Sequence, residues 1–209
     1  MEEPFSSEDI DFGVKCLTNE KTKDIKGYQA EILKIGGPDL IPRIRKLFNL
    51  AVKQGSPKPK NQSLIIPIFW IDDKHNCSNY QTIMINLLLA KLYNIILENK
   101  ISVWLEIEGK WAKGQAGFIR HHSTTDHLIT LGIIVEEFHN NKSNLFCWFV
   151  DIRKTFDTVP RNNLWNMLEE LKVPFELRVV AIRLYKNVIA KFKILYQNII
   201  LWSLKSNWK

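Results

Sequence analysis

The feature that most constrains this chain is Leu145-Phe-Cys-Trp-Phe-Val150, an unbroken apolar run that ends at Asp151. A run this short, with no alternation of apolar and polar positions, predicts a central strand covered on both faces, because a half-exposed strand shows a period of two. Asp151 then sits at the C-terminal end of that strand. A carboxylate there is held rigidly while its oxygens project beyond the sheet edge, an arrangement that suits a hard Mg²⁺ ion.

Helical patterns surround the run. Ser6-Ser7-Glu8-Asp9 starts a short amphipathic helix through about Leu17, because a serine oxygen accepts the free amide hydrogens of a first turn. A charged loop from Asn19 to Lys26 leads to a second helix, Tyr28 to Ile35, which Gly36-Gly37-Pro38 ends while starting a third, about Asp39 to Gln54. Pro57-Lys58-Pro59-Lys60 reads as a stiff connector. Ser63 to Phe69 is a strand in which Pro67 argues for an edge position, and Asp72 to Asn79 is a turn or hairpin tip. Leucines and isoleucines at three- and four-residue spacing predict a long helix from Asn86 to about Glu106. Past a Gly109 to Gly117 loop, Ser123 or Thr124 caps another, running to about Asn140. Helices at about Arg161 to Leu171 and Phe175 to Ile189 and a β-rich tail, Phe192 to Leu204, complete an α+β chain with helices packed on a small, mostly antiparallel sheet.

Composition narrows the class. With 45% hydrophobic and 11% aromatic residues, the chain lies far from disordered or fibrous proteins. A formal net charge of +7 points weakly to a polyanionic partner, although many basic proteins bind no nucleic acid. Cys16, Cys77 and Cys147 are widely spaced and match no paired metal spacing, so reduced thiols are expected. The acidic start, Met1 to Phe12, lacks the basic and apolar segments of a secretory signal, and no apolar stretch is long enough to span a bilayer. These features lead to the expectation of an intracellular protein, nuclear or cytoplasmic, with no membrane partner.

The richest stretch is Phe149-Val-Asp-Ile-Arg-Lys-Thr-Phe-Asp-Thr-Val159. Nucleotidyl transfer uses two metal ions about 4 Å apart, held by several carboxylates, and Asp151 supplies only part of that set. On spacing alone, Asp151 serves equally well as a cap for the next turn, with Asp157 a solvated loop acid. A phosphotransferase of the haloacid dehalogenase type also places Asp-x-x-x-Thr after an apolar strand. That chemistry needs an acid where Arg153 stands, so it is set aside.

The stretch resembles the first catalytic motif of reverse transcriptases from non-long-terminal-repeat retrotransposons: an apolar strand, Asp, three residues, then Ala-Phe-Asp, here with Thr155 for alanine. Further blocks agree in order. Gly27-Tyr-Gln-Ala-Glu31, the strand Leu64 to Phe69 with Asp73-Lys74 and Ser78-Asn79-Tyr80, Lys91-Leu92-Tyr93, Gln115-Ala-Gly-Phe118 with Ser123-Thr124 and Asp126-His127, and Leu164-Trp165 with Leu184-Tyr185 all resemble family segments. The resemblance implies a right-hand polymerase fragment: residues 1–26 an N-terminal helix and loop, 27–144 fingers, 145–191 the first half of the palm, and 192–209 a tail without a family counterpart. It implies that Asp151 is the first metal-binding, catalytic aspartate with Mg²⁺ as cofactor. It makes Phe156 the aromatic gate beneath the sugar of an incoming deoxynucleotide, where a core aromatic is otherwise the plainer reading. Lys154 and Asp157 match motif positions of mainly structural use. RNA template and RNA/DNA hybrid are the implied partners.

Departures from the family accompany these matches. The arginine of the Asn-Tyr-Arg fingers tip, which grips triphosphate, is Gln81, and a neutral amide is no substitute for a bidentate cation. Trp70 stands where a basic residue is usual, and Ile119 follows Gly-Phe in place of arginine, with Arg120 next in line to contact the nucleotide. The family's Gln-Gly-x-Pro-Leu block and aromatic-x-Asp-Asp hairpin are absent from these residues. Trp70-Ile71-Asp72-Asp73 imitates the hairpin pattern but precedes Asp151 and falls in the fingers. The palm is therefore expected to be incomplete and the chain inactive alone, the alternative being a remnant or a simple nucleic-acid-binding protein without catalysis. His122 and Asp126 have helical i, i+4 spacing that suits a metal, but no third ligand lies near in sequence. Trp104 and Trp111 with Lys110 and Lys113 have the composition of a single-strand platform and equally of ordinary core and surface.

Overall fold

The computed structural model describes residues 4–54, 62–70, 72–152, 155–185, 189–192, 194–196 and 199–201, with backbone alone at 54, 62, 157 and 189–201. The expected connector Pro57 to Lys60, together with Ile71, Arg153, Lys154 and the tail beyond Leu201, lies outside the described residues, as does the side chain of Asp157. The chain divides into two compact units, Met1–Lys100 with Pro174–Lys209, and Ile101–Val173.

In the first unit, Ser6 opens α1 (Ser7–Cys16) through a reciprocal capping box. Its hydroxyl accepts the Asp9 amide at 3.1 Å, and its own amide donates to Asp9 Oδ2 at 2.8 Å. The same carboxylate takes the Lys100 ammonium at 2.8 Å. The second and third expected helices run together as α2 (Ala30–Gln54), broken at Gly37, whose φ of 44° and ψ of −139° are open to glycine but costly for a side chain. Pro38 follows the break directly, in the first turn of the continuing helix, and Pro42 lies one turn further in. A proline in a first turn loses no internal hydrogen bond, because the amides there have no helical partner.

β1 (Gln62–Phe69) and β2 (Tyr80–Asn86) form an antiparallel hairpin, and β3 (Ile189–Phe192) lies parallel to β1 on its other side, giving the order β2-β1-β3. The edge position expected for the Ser63 to Phe69 strand is therefore corrected, since β1 is the middle strand. Pro67 is accommodated because β3 pairs only with Gln62 to Ile65, so at Pro67 the ladder has one side. A 3₁₀ turn, Cys77–Asn79, closes the hairpin tip. There the buried Asn79 donates from Nδ2 to the Asp73 carbonyl at 3.1 Å, and Tyr80 Oη donates to that of Lys74 at 2.9 Å.

α3 (Leu88–Ile107) begins where Asp24 reaches across to accept the Leu88 amide at 3.0 Å. α7 (Phe175–Tyr185) is shorter than the helix expected to Ile189, which instead opens β3. The β-rich tail contributes β4 (Ile194–Tyr196) and β5 (Ile199–Leu201), paired antiparallel. The unit's core is built from Phe5, Ile10 and Leu17 around α1, Phe48 on α2, Leu92 and Ile96 on α3, and Val180 on α7, all nearly or fully inaccessible. Each such side chain contributes about 1.5 to 3 kcal/mol of transfer free energy.

In the second unit Ser123 caps α4 (Thr124–Asn140) with a second capping box, closed by Asp126. α5 (Thr155–Thr158) and α6 (Arg161–Glu170) follow. Its buried apolar residues among those described are Ala116 and Val173, a sparse core next to that of the first unit. The strand expected at Leu145 to Val150 is not formed: the segment has no regular secondary structure, and Phe146, Trp148, Phe149 and Val150 are each more than four-fifths exposed. The reason is pairing. A strand persists where neighbouring strands take up its amides and carbonyls, and none of the sheet pairings includes these residues. No helix among the described residues is long and apolar enough to cross a membrane.

Candidate functional site

The expected site residues Asp151, Phe156 and Arg120 all lie in the second unit. With no strand before it, Asp151 is an exposed side chain on irregular backbone, and the rigid strand-end mounting expected from the sequence is absent. Immediately after it the chain tightens. Thr155 Oγ1 donates to the Ile152 carbonyl at 2.8 Å and Thr158 Oγ1 to that of Thr155 at 3.1 Å, fastening the single turn of α5.

α5 presents Phe156, whose ring meets that of Phe118 edge to face, with centroids 6.1 Å apart and planes at 90°. This geometry places the positive edge of one ring toward the negative face of the other. Both rings are about four-fifths exposed. Phe118 belongs to a loop of successive turns, in which the Ile119 amide bonds the Ala116 carbonyl at 3.4 Å and that of His122 bonds Ile119 at 3.3 Å. Ala116 is buried and anchors the loop, while Phe118 and His121 adopt φ of 64° and 63°, a region disfavoured for bulky side chains. Arg120 lies exposed between them.

The structure thus joins the Gln115 to Phe118 segment to the Asp151 to Val159 segment through one aromatic pair. Sequence reasoning singled out both phenylalanines separately but not their contact, which spans too great a chain separation for any local pattern to reveal. At the hairpin tip, Gln81 is exposed at the start of β2, opposite Ile68.

Among the described residues no group of three or more His, Cys, Asp or Glu side chains is placed to hold a metal ion. Asp151 offers a single carboxylate where about two or three are needed, so the described residues do not by themselves make up a Mg²⁺ site. His122 Nδ1 lies 3.6 Å from Asp126 Oδ2, but that oxygen already accepts the Ser123 amide at 2.7 Å in the helix cap. Trp104 and Trp111 are half-buried, with Lys110 and Lys113 exposed. Comparison with protein-family models and with curated proteins gave no match to the chain.

Proposed function

We propose that these residues are the fingers and the first half of the palm of an RNA-directed DNA polymerase of the non-long-terminal-repeat retrotransposon type. The observation that carries the reading is the segment Phe149 to Val159, with Asp151 and Phe156 at the motif's spacing and the other motif blocks in order before it. Two structural features are compatible with it. The segment Ser63 to Asn86 is a hairpin with Asn79-Tyr80-Gln81 at its tip, and Phe156 packs on Phe118 of the Gly-Phe block.

In this reading Asp151 is one ligand of a metal pair whose remaining carboxylates are not among the described groupings, Phe156 lies under the deoxynucleotide sugar, and Arg120 contacts phosphate. The chain alone binds RNA template or RNA/DNA hybrid weakly and does not extend a primer. The experiment is extension of a DNA primer on an RNA template with Mg²⁺ and deoxynucleotides, using Asp151→Ala as the control. Extension that disappears in the variant establishes catalysis and refutes the incomplete-site part of the reading. Absence of extension together with absence of hybrid binding at low salt refutes the polymerase reading itself.

One observation favours a second reading, binding without catalysis. Gln81 replaces the triphosphate-gripping arginine, which weakens nucleotide capture while leaving template contacts intact. Hybrid binding that is unchanged by saturating deoxynucleotide distinguishes it.

A further inference from the structure

The first unit contains a cavity of about 420 Å³ lined by α2, α3, α7 and the loop before α2. Its walls are almost wholly apolar. Four of its lining side chains, Leu33, Phe48, Leu88 and Val180, are at or near full burial. Lys26 and Tyr28 of the loop also line it and are exposed to solvent. A volume of this size lies within the roughly 300 to 1,000 Å³ typical of sites that enclose small organic molecules.

Charge at the cavity is unbalanced. Lys26, Arg183 and Asp24 are the ionic groups that line it. The Asp24 carboxylate already takes three backbone donors, with Oδ1 accepting the amides of Lys26 at 2.8 Å and Tyr28 at 3.0 Å, and Oδ2 that of Leu88 at 3.0 Å. Arg183 donates one guanidinium hydrogen to the Val52 carbonyl in the last turn of α2 and keeps its full positive charge. The site therefore pairs an almost wholly apolar lining with a net positive charge.

We propose that this cavity binds a small single-chain amphiphile with an anionic head, its tail against Phe48 and Tyr93 and its carboxylate toward Lys26. The apolar lining recognises the tail by excluding water from it, and the positive charge fixes its direction.

The test is calorimetric titration of the protein with decanoate below its micelle concentration, with decan-1-ol as the uncharged comparison. Saturable binding at one site is expected, with decan-1-ol about fivefold weaker, as befits a partly exposed ion pair. Lys26→Met should bind decanoate as weakly as the wild type binds the alcohol. Ala51→Trp, which places an indole in the chamber, should abolish binding. Because that variant is itself liable to misfold, the wild-type complex is also read by nuclear Overhauser contacts from the decanoate methylenes to the ring protons of Phe48 and Tyr93. Non-saturable uptake, equal affinity for acid and alcohol, or contacts to Trp148 and Phe149 in place of Phe48 and Tyr93 would each overturn the proposal.

Discussion

The side-chain amide of Asn49 closes on the backbone of Phe5 from both directions: Oδ1 accepts the Phe5 amide at 3.0 Å and Nδ2 donates to the Phe5 carbonyl at 2.9 Å. Both residues are almost completely buried. The segment before α1 thus borrows from α2 the pairing a sheet neighbour would supply. Asn49→Ala strands one donor and one acceptor away from water, at about 1 to 3 kcal/mol each where no water enters. The expected loss is about 2 to 3 kcal/mol in chemical denaturation, with Asn49→Asp also destabilising because a carboxylate offers no hydrogen to the Phe5 carbonyl. A loss below about 0.5 kcal/mol, the range of ordinary surface changes, counts against this role.

Gly13 on α1 passes so close to α3 that a β-carbon there would stand 2.7 Å from both Ile96 Cγ1 and Leu92 Cδ1. Those two side chains are fully buried, so neither has space to withdraw. In an exposed helix, Gly→Ala is stabilising by up to about 1 kcal/mol. Here overpacking of about 1 to 3 kcal/mol opposes that gain, and Gly13→Ala should lower stability by about 1 kcal/mol. Ile96→Ala on the facing helix removes Cγ1, one of the two atoms the added β-carbon would meet. If the clash is the cause, the double variant should be less destabilised than the sum of the two single changes, and simple additivity refutes it.

Tyr93 completes a three-ring cluster with Phe5 and Phe48, at centroid distances of 5.1 and 4.9 Å, the two phenylalanine centroids being 6.1 Å apart. Burial pushes its phenol well above the ordinary value of 10.0, with the Arg183 charge acting more weakly in the opposite direction. Above pH 10 the unfolded chain therefore releases this proton while the folded protein retains it. The unfolded state then binds fewer protons, so stability falls as pH rises. The contribution is complete below about pH 10 and diminishes progressively above it. Tyr93→Phe removes the titrating group, and its denaturation midpoint should decline less between neutral pH and the strongly alkaline range. Parallel decline of the two proteins would show that Tyr93 is not responsible.

Local chemistry in the sequence identified the features that depend on local partners. The Ser6 and Ser123 caps bond residues within the following turn, and the break at Gly37 follows from one glycine before one proline. The three- and four-residue spacing of leucines and isoleucines announced α3, whose buried residues include Leu88, Leu92 and Ile96. Features requiring distant partners were not legible. Leu145 to Val150 carries the composition of a central strand, but a strand also needs neighbours, and no composition within the segment supplies them. Pro67 pointed to an edge strand, whereas β1 is the middle strand and only its Pro67 end is unpaired on one side, because β3 reaches no further than Ile65. The contact between Phe118 and Phe156 and the cavity behind Lys26 have the same origin, since each arises where separate stretches of chain fold together.

Arg120 provides the most direct test of the proposed nucleic-acid contact that does not depend on catalysis. It is exposed, two residues past Phe118, in the loop that positions the aromatic pair. If its guanidinium neutralises a template phosphate, binding releases a counterion there, and the dependence of log affinity on log salt records that event. Arg120→Gln should weaken binding to an RNA/DNA hybrid by a similar factor for every sequence tried and reduce the magnitude of the salt slope by about one. Lys142, exposed at the turn that follows α4, is the control, because a change in overall charge alone would act equally from either position. Lys142→Gln is expected to leave the slope near its wild-type value. Equal reductions in both variants would mean that the protein's general basicity, and no particular contact at Arg120, accounts for its affinity.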